Sequence, residues 1–174
     1  IMNKSEGEGI LLVDKEKKLT AFYLVKLLRK ISNIKKIGHA GTLDPFATGV
    51  MVMLIGQPYT KLASSLINND KEYISTLKMG EATDSFDCDG QVTHKSNIVP
   101  TLKDVESVIS KFQGTIEQIP PMFSAKKING KKLYTFARKG IDVERKPVKV
   151  NVSIKILDYC YPNLKLHVHS SKGT

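Results

Sequence analysis

The chain has 174 residues, of which 41% are hydrophobic, enough for one packed domain with or without part of another. Its 27 basic and 17 acidic residues leave a net charge of +10, which favours a polyanionic partner, nucleic acid first. No 18-residue apolar run indicates a membrane span, and Cys88 and Cys160, far apart and without a Cys-x-x-Cys pairing, suggest no zinc site or disulfide framework, so a reducing cytoplasm is the expected location.

In chain order, Gly9 to Asp14 reads as a short apolar strand. Thr20 can cap a helix with Phe22, Val25, Leu28 and Ile31 as its core stripe and Lys26, Arg29 and Lys30 near its end. The stretch GHAGTLDPFATGV, Gly38 to Val50, follows. Asp44 directly precedes Pro45, which biases it to extended geometry, and Gly41 and Gly49 permit tight turns on either side. Asp44 is thus a carboxylate on a stiff loop leading into an apolar run, Val50 to Ile55, that reads as a buried strand. A plain Asp-Pro turn is the alternative. Pro58 to Ile67 reads as one further helix, ended by Asn68-Asn69-Asp70.

Tyr73 to Leu77 reads as a strand with Tyr73, Ser75 and Leu77 on one face. The acidic segment Glu81 to Gly90 fails as a calcium loop. With Gly90 at its sixth position, Ser85 and Ser96 stand where the end carboxylates belong. It reads as a solvated turn, followed by a short strand, Gln91 to His94. Thr101 to Phe112 reads as an amphipathic helix with Val105, Val108, Ile109 and Phe112 inward, closed by Gly114. Asn129-Gly130 is a hairpin turn signal, and Leu133 to Lys139 a short helix. Val148 to Ile156 alternates strictly and turns at Pro162-Asn163 into a partner strand, with His167 and His169 on its polar face. From Ser124 to Lys155 ten Lys or Arg stand against Asp142 and Glu144, a local net charge of +8. Strands and helices alternate irregularly with at least two hairpins, which predicts an α+β fold with a mixed, largely antiparallel central sheet flanked by helices.

Gly38 to Gly56 resembles the signature motif of the TruB family of tRNA pseudouridine synthases. Other blocks resemble that family in its order: Gly9 to Phe22, Lys71 to Tyr73, Gly80 to Gly90, Gln118 to Tyr134, Lys139 to Val148 and Ser170 to Thr174. The resemblance covers nearly the whole chain and implies one catalytic domain over residues 1–174, with a basic RNA-gripping insert at about 124–150.

It implies isomerisation of uridine 55 in the tRNA T loop to pseudouridine, with Asp44 as the catalytic carboxylate. Tyr73 would pack on the flipped base, although a strand core role is open to it. His39 would enter the space that base leaves, with a loop cap as the alternative. Lys15, Lys61, Lys126 and Arg145 are the candidate RNA contacts. The reaction needs no redox cofactor and implies no metal. The expected partner is the tRNA T stem-loop, without a membrane or an obligate protein partner, and the expected state is a monomer. Glu16 and Lys18 stand where the family's first motif has proline and glycine, and the stretch from Gly56 to Lys61 is one residue longer than the family's. The family continues Ser-Lys-Gly-Thr with Tyr-Ile-Arg, whose arginine pairs with the catalytic aspartate. The sequence stops at Thr174, which implies a truncated, weakly active or inactive piece. The competing reading is a non-catalytic RNA-binding or tRNA-folding module.

Overall fold

The structure, a computed structural model, describes residues 7–120, 127–128, 131–132, 135–136, 140–141 and 143–172. The chain has two compact units, Ile1–Asn69 and Asp70–Thr174.

The first unit is a three-stranded sheet under a helix. Strands β1 (Gly9–Lys15), β2 (Ile37–Ala40) and β3 (Gly49–Ile55) pair antiparallel in the order β1-β3-β2. Helix α1 (Ala21–Ser32) starts where the Thr20 hydroxyl accepts the Tyr23 amide at 3.1 Å. It stops at Asn33, whose left-handed backbone lets its amide reach the Arg29 carbonyl. Ala21, Leu24 and Val25 of α1 pack on Ile37, Met51, Met53 and Ile55 of the sheet. Full burial of a side chain such as Met53 stabilises by about 1.5–3 kcal/mol.

Three expectations differ from the structure. The core stripe of α1 is Ala21, Leu24, Val25 and the half-buried Leu28, whereas Phe22 is 60% and Ile31 71% exposed. The apolar run in β3 is also not buried throughout, because alternate residues face opposite sides and Val50 is 66% exposed. The helix expected over Pro58 to Ile67 is two short ones, α2 (Gln57–Thr60) and α3 (Ala63–Ile67), broken at Lys61-Leu62.

The second unit is built on a four-stranded antiparallel sheet. Its order is β4 (Lys71–Lys78), β11 (Asn163–Ser170), β10 (Val148–Cys160) and β7 (Gly114–Gln118). Helix α4 (Leu102–Ile109) carries a complete capping box. The Thr101 hydroxyl accepts the Asp104 amide at 3.2 Å, and the Asp104 carboxylate accepts the Thr101 amide at 2.8 Å. The Thr101 hydroxyl also donates to the Asp104 carboxylate at 2.6 Å, and this bond first, with the one from the Thr101 amide second, holds the Asp104 carboxyl below its ordinary range. Val105 and Ile109 pack on Leu164, Leu166 and Ile154, but Val108 and Phe112 of the expected stripe are exposed. The helix gives way to a 3₁₀ turn at Ser110–Phe112, which rotates the last residues off the α-helical stripe.

Gly114 closes this segment as expected and also begins a further strand, β7. Strands β5 (Glu81–Thr83) and β6 (Val92–Lys95) form a hairpin, and β8 (Lys127–Ile128) and β9 (Lys131–Lys132) another, around the Asn129-Gly130 signal. The turn residues themselves, and most of the expected helix over Leu133 to Lys139, lie outside the described residues. The fold class is α+β. Every pairing among the described strands is antiparallel, in two sheets and two hairpins.

Candidate active site

The loop between β2 and β3 presents Asp44. Gly41 (φ 88°) and Gly49 (φ 129°) bracket it in backbone conformations that L side chains rarely adopt, so both glycines are needed where they stand. Between them the Asp44 carbonyl accepts the Ala47 amide at 3.0 Å, closing a turn with Pro45 at its second position. Proline's fixed φ suits that position. The Asp44 side chain is exposed, and no hydrogen bond or ion pair engages its carboxylate among the described residues.

The first motif fastens this loop from below. The Lys15 ammonium donates to the carbonyls of Glu16 (3.1 Å), Leu19 (3.0 Å) and Pro45 (3.4 Å). The Lys18 amide donates to the same Pro45 carbonyl at 2.7 Å. Lys18 has a φ of 69°, a left-handed conformation that glycine adopts without steric cost. The resemblance sets a glycine at this position, so the departure at Lys18 keeps the backbone and replaces the residue.

Lys15 corrects an expectation. Read as an RNA contact, it is 0% exposed, and its three donors are spent on backbone carbonyls. A lysine is buried in this way only when its charge is met by partners. Lys15 ties the first motif to the Asp44–Pro45 turn. Its signal in the sequence was its place at the end of an apolar strand, where alternation turns it to the face of Val13 and Leu11.

His39 stands at the loop's entrance, half-buried on β2 opposite Met53. Its ring N–H at Nδ1 donates to the Gly41 carbonyl. The imidazole thus caps the loop, the plainer of the two roles open to it, and leaves Nε2 for other work. Lys61 ends α2 and is exposed.

In the second unit, Tyr73 lies on β4 opposite Val168 and is 44% exposed, so its ring is neither core nor free surface. Arg145 is half-buried; it donates from Nε to the Val143 carbonyl (3.1 Å) and from Nη1 to the Pro120 carbonyl (3.2 Å). Its guanidinium braces the chain there. Lys126 lies outside the described residues. Asp44, His39, Lys15 and Lys61 therefore belong to the first unit, and Tyr73 and Arg145 to the second.

The acidic hairpin spends its carboxylates on its own turns. Asp84 accepts the Gln91 amide (2.9 Å), and Asp87 accepts the Ser85 hydroxyl (2.6 Å) and the Asp89 amide (2.9 Å). On the polar face of β11, His167 lies 3.3 Å from Glu72 and His169 lies 3.6 Å from Asp70. Each imidazole faces a different carboxylate, and no cluster of three metal-ligating side chains occurs among the described residues.

This fold has known counterparts. The chain superposes with a TM-score of 0.68 on a chain of the "Crystal Structure of a Cbf5-Nop10-Gar1 Complex", at 24% identity, over 95% of this chain and 40% of that one. It matches "Human RNA Pseudouridylate Synthase Domain Containing 4" with a TM-score of 0.52 and 13% identity, over 97% of this chain and 58% of that one. Those likenesses define a pseudouridine-synthase type of fold. At the sequence level, the family described as TruB family pseudouridylate synthase (N terminal domain) matches residues 29–174, and the chain belongs to that family. It is 58% identical to tRNA pseudouridine synthase B of Protochlamydia amoebophila, over 98% of this chain and 65% of the relative. It is 44% identical to tRNA pseudouridine synthase B of Clostridium tetani, over 95% of this chain and 58% of the relative. The chain thus spans about two thirds of the length of the first of these relatives and somewhat less of the second.

Proposed function

We propose that this chain supplies the catalytic carboxylate loop of a tRNA pseudouridine synthase, which isomerises uridine 55 of the T loop with Asp44 as its catalytic carboxylate. The observation that carries the reading is the state of Asp44. It is an exposed carboxylate without a partner among the described residues, on a turn fixed by Pro45, two positive-φ glycines and the buried Lys15. An ordinary turn aspartate would be satisfied by nearby amides, as Asp84 and Asp87 are.

The chemistry is an isomerisation. The N1–C1′ bond of the uridine breaks, the base turns, C5 bonds to C1′, and the C5 proton leaves as N1 gains one. A duplex or stacked loop must first release the base. One carboxylate on a rigid loop can then act as nucleophile or general base at the sugar or the base. No electrons are gained or lost, so the balance requires no redox cofactor.

In this reading the Tyr73 ring, 44% exposed, packs on the extruded base. His39 enters the space that the base vacates. Lys61, Lys126, Arg145 and the other basic residues between Ser124 and Lys155 bind phosphates. The substrate is tRNA, the protein acts as a cytoplasmic monomer, and no protein partner is obligatory.

The test is turnover of a T-stem-loop RNA by the parent chain and by Asp44→Asn, with RNA affinity measured beside it. Loss of turnover with affinity retained supports the reading. Turnover that survives the substitution refutes it. Equal binding without turnover in either, when both are continued through the Tyr-Ile-Arg block, would favour the non-catalytic, tRNA-folding alternative.

A further inference from the structure

Helix α1 has an outer surface that its packing does not explain. Ala21, Leu24, Val25 and Leu28 turn to the core. At about 100° per residue the direction opposite them is held by Tyr23, Lys26 and Lys30, flanked by Phe22 and Arg29 on one side and Leu27 and Ile31 on the other. All seven are exposed. Lys26, Arg29 and Lys30 stand at i, i+3 and i+4, so their cations are neighbours. The Lys26 ammonium lies 5.0 Å from the centroid of the Phe22 ring, which holds it near the helix surface.

The surroundings are basic as well. From Lys17 to Leu43 the sequence has seven Lys or Arg (Lys17, Lys18, Lys26, Arg29, Lys30, Lys35, Lys36) and no Asp or Glu. Among the described residues no carboxylate pairs with Lys26, Arg29 or Lys30. The helix dipole accounts for Arg29 and Lys30 in the last turn. It does not account for Lys26 in mid-helix, for the lysines beyond both ends, or for the exposed rings beside them.

We propose that the outer face of α1 is a second RNA-binding surface, on which Lys26, Arg29 and Lys30 contact backbone phosphates of the tRNA. It belongs to the first unit, whereas the basic insert belongs to the second. The inference rests on the reading of this chain as a tRNA-modifying enzyme and adds a phosphate-contacting site to it. Cations interleaved with exposed aromatic rings are what polynucleotide surfaces combine. A helix lying in an anionic membrane surface would instead point a continuous apolar stripe outward. Here the outermost direction holds two lysines and a tyrosine, with the aliphatic residues at one edge.

The test measures binding of an unmodified tRNA transcript across a range of salt, for the parent chain and K26Q/R29Q/K30Q. Three lost phosphate contacts should flatten the slope of log K against log salt by about 2 and cost roughly tenfold or more in affinity at physiological salt. K26R/K30R keeps the charges and should keep both values. Each single glutamine substitution should take a share of the loss, which guards against a misfolded triple variant. Unchanged slope and affinity in the triple variant, with the parent binding normally, overturns the α1 surface and leaves the enzyme reading standing. A parent that does not bind tRNA at all overturns the enzyme reading itself. A triple variant that loses binding to phosphatidylserine vesicles but not to tRNA assigns the face to lipid and also overturns the inference.

Discussion

Replacing Lys15 by methionine isolates the fastening of the Asp44 loop. Methionine keeps much of the apolar stem but removes the charged donor. Three carbonyls lose a partner: Glu16 at 3.1 Å, Leu19 at 3.0 Å and Pro45 at 3.4 Å. Pro45 keeps the Lys18 amide at 2.7 Å, so two carbonyls are left unsatisfied. Each costs about 1–3 kcal/mol, and the relief of no longer burying an ammonium offsets part of the sum. The net loss is about 2–4 kcal/mol. In a urea titration this appears as a lower midpoint at an unchanged slope. Lys15→Arg should destabilise too, because a fully buried position has no room for a guanidinium. Stability within about 0.5 kcal/mol of the parent for both variants would refute the reasoning, since that is the range of ordinary surface substitutions. If Lys15→Met instead left stability intact and weakened only RNA binding, with a flatter salt dependence, Lys15 would be a phosphate contact after all.

Two further outcomes follow from the packing and the caps. Leu24→Ala should cost about 2–5 kcal/mol, whereas Phe22→Ala should stay within about 0.5 kcal/mol, and thermal melts of both variants check the corrected core face of α1. Asp104 has a folded pKa below its unfolded one, so its contribution is complete above the ordinary carboxylate range and is lost as pH falls through the lowered value. Helix α4 should therefore lose amide-exchange protection on acidification in the parent, and Thr101→Ala should remove most of that pH dependence.

The parts of this molecule that the sequence displays are those set by local geometry. Gly41, Pro45 and Gly49 specify the loop through their own backbones, and both glycines have the positive φ that their residue type allows. The Thr20 and Thr101 caps are likewise local. Alternation placed Tyr73 with Leu77 and His167 with His169, because a strand leaves no other choice.

The misreadings share a different cause. Helix α1 has apolar residues at Phe22, Tyr23, Leu24, Val25, Leu27, Leu28 and Ile31, so several stripes fit a period of 3.6. Only the sheet beneath decides which stripe is buried. The β7 strand is invisible locally, because Gly114 to Gln118 gains its ladder from distant residues, Val148 to Val152, in β10. The place of Lys15 at the end of an apolar strand hints at its inward direction, but its partner does not show, since the Pro45 carbonyl comes from another part of the chain. The α2–α3 break at Lys61-Leu62 follows neither a proline nor a glycine, and nothing in the sequence marks it.

The central claim is that Asp44 performs the isomerisation. It is tested most directly by tritium release from a T-stem-loop RNA labelled at C5 of its uridines, because C5 gives up its hydrogen only when the base is rotated and rejoined. The comparison sets the parent sequence, continued through a Tyr-Ile-Arg block after Ser-Lys-Gly-Thr, against the same protein with Asp44→Asn. The account predicts release by the first, none by the second, and similar RNA affinity in both. Release that persists in Asp44→Asn would contradict it.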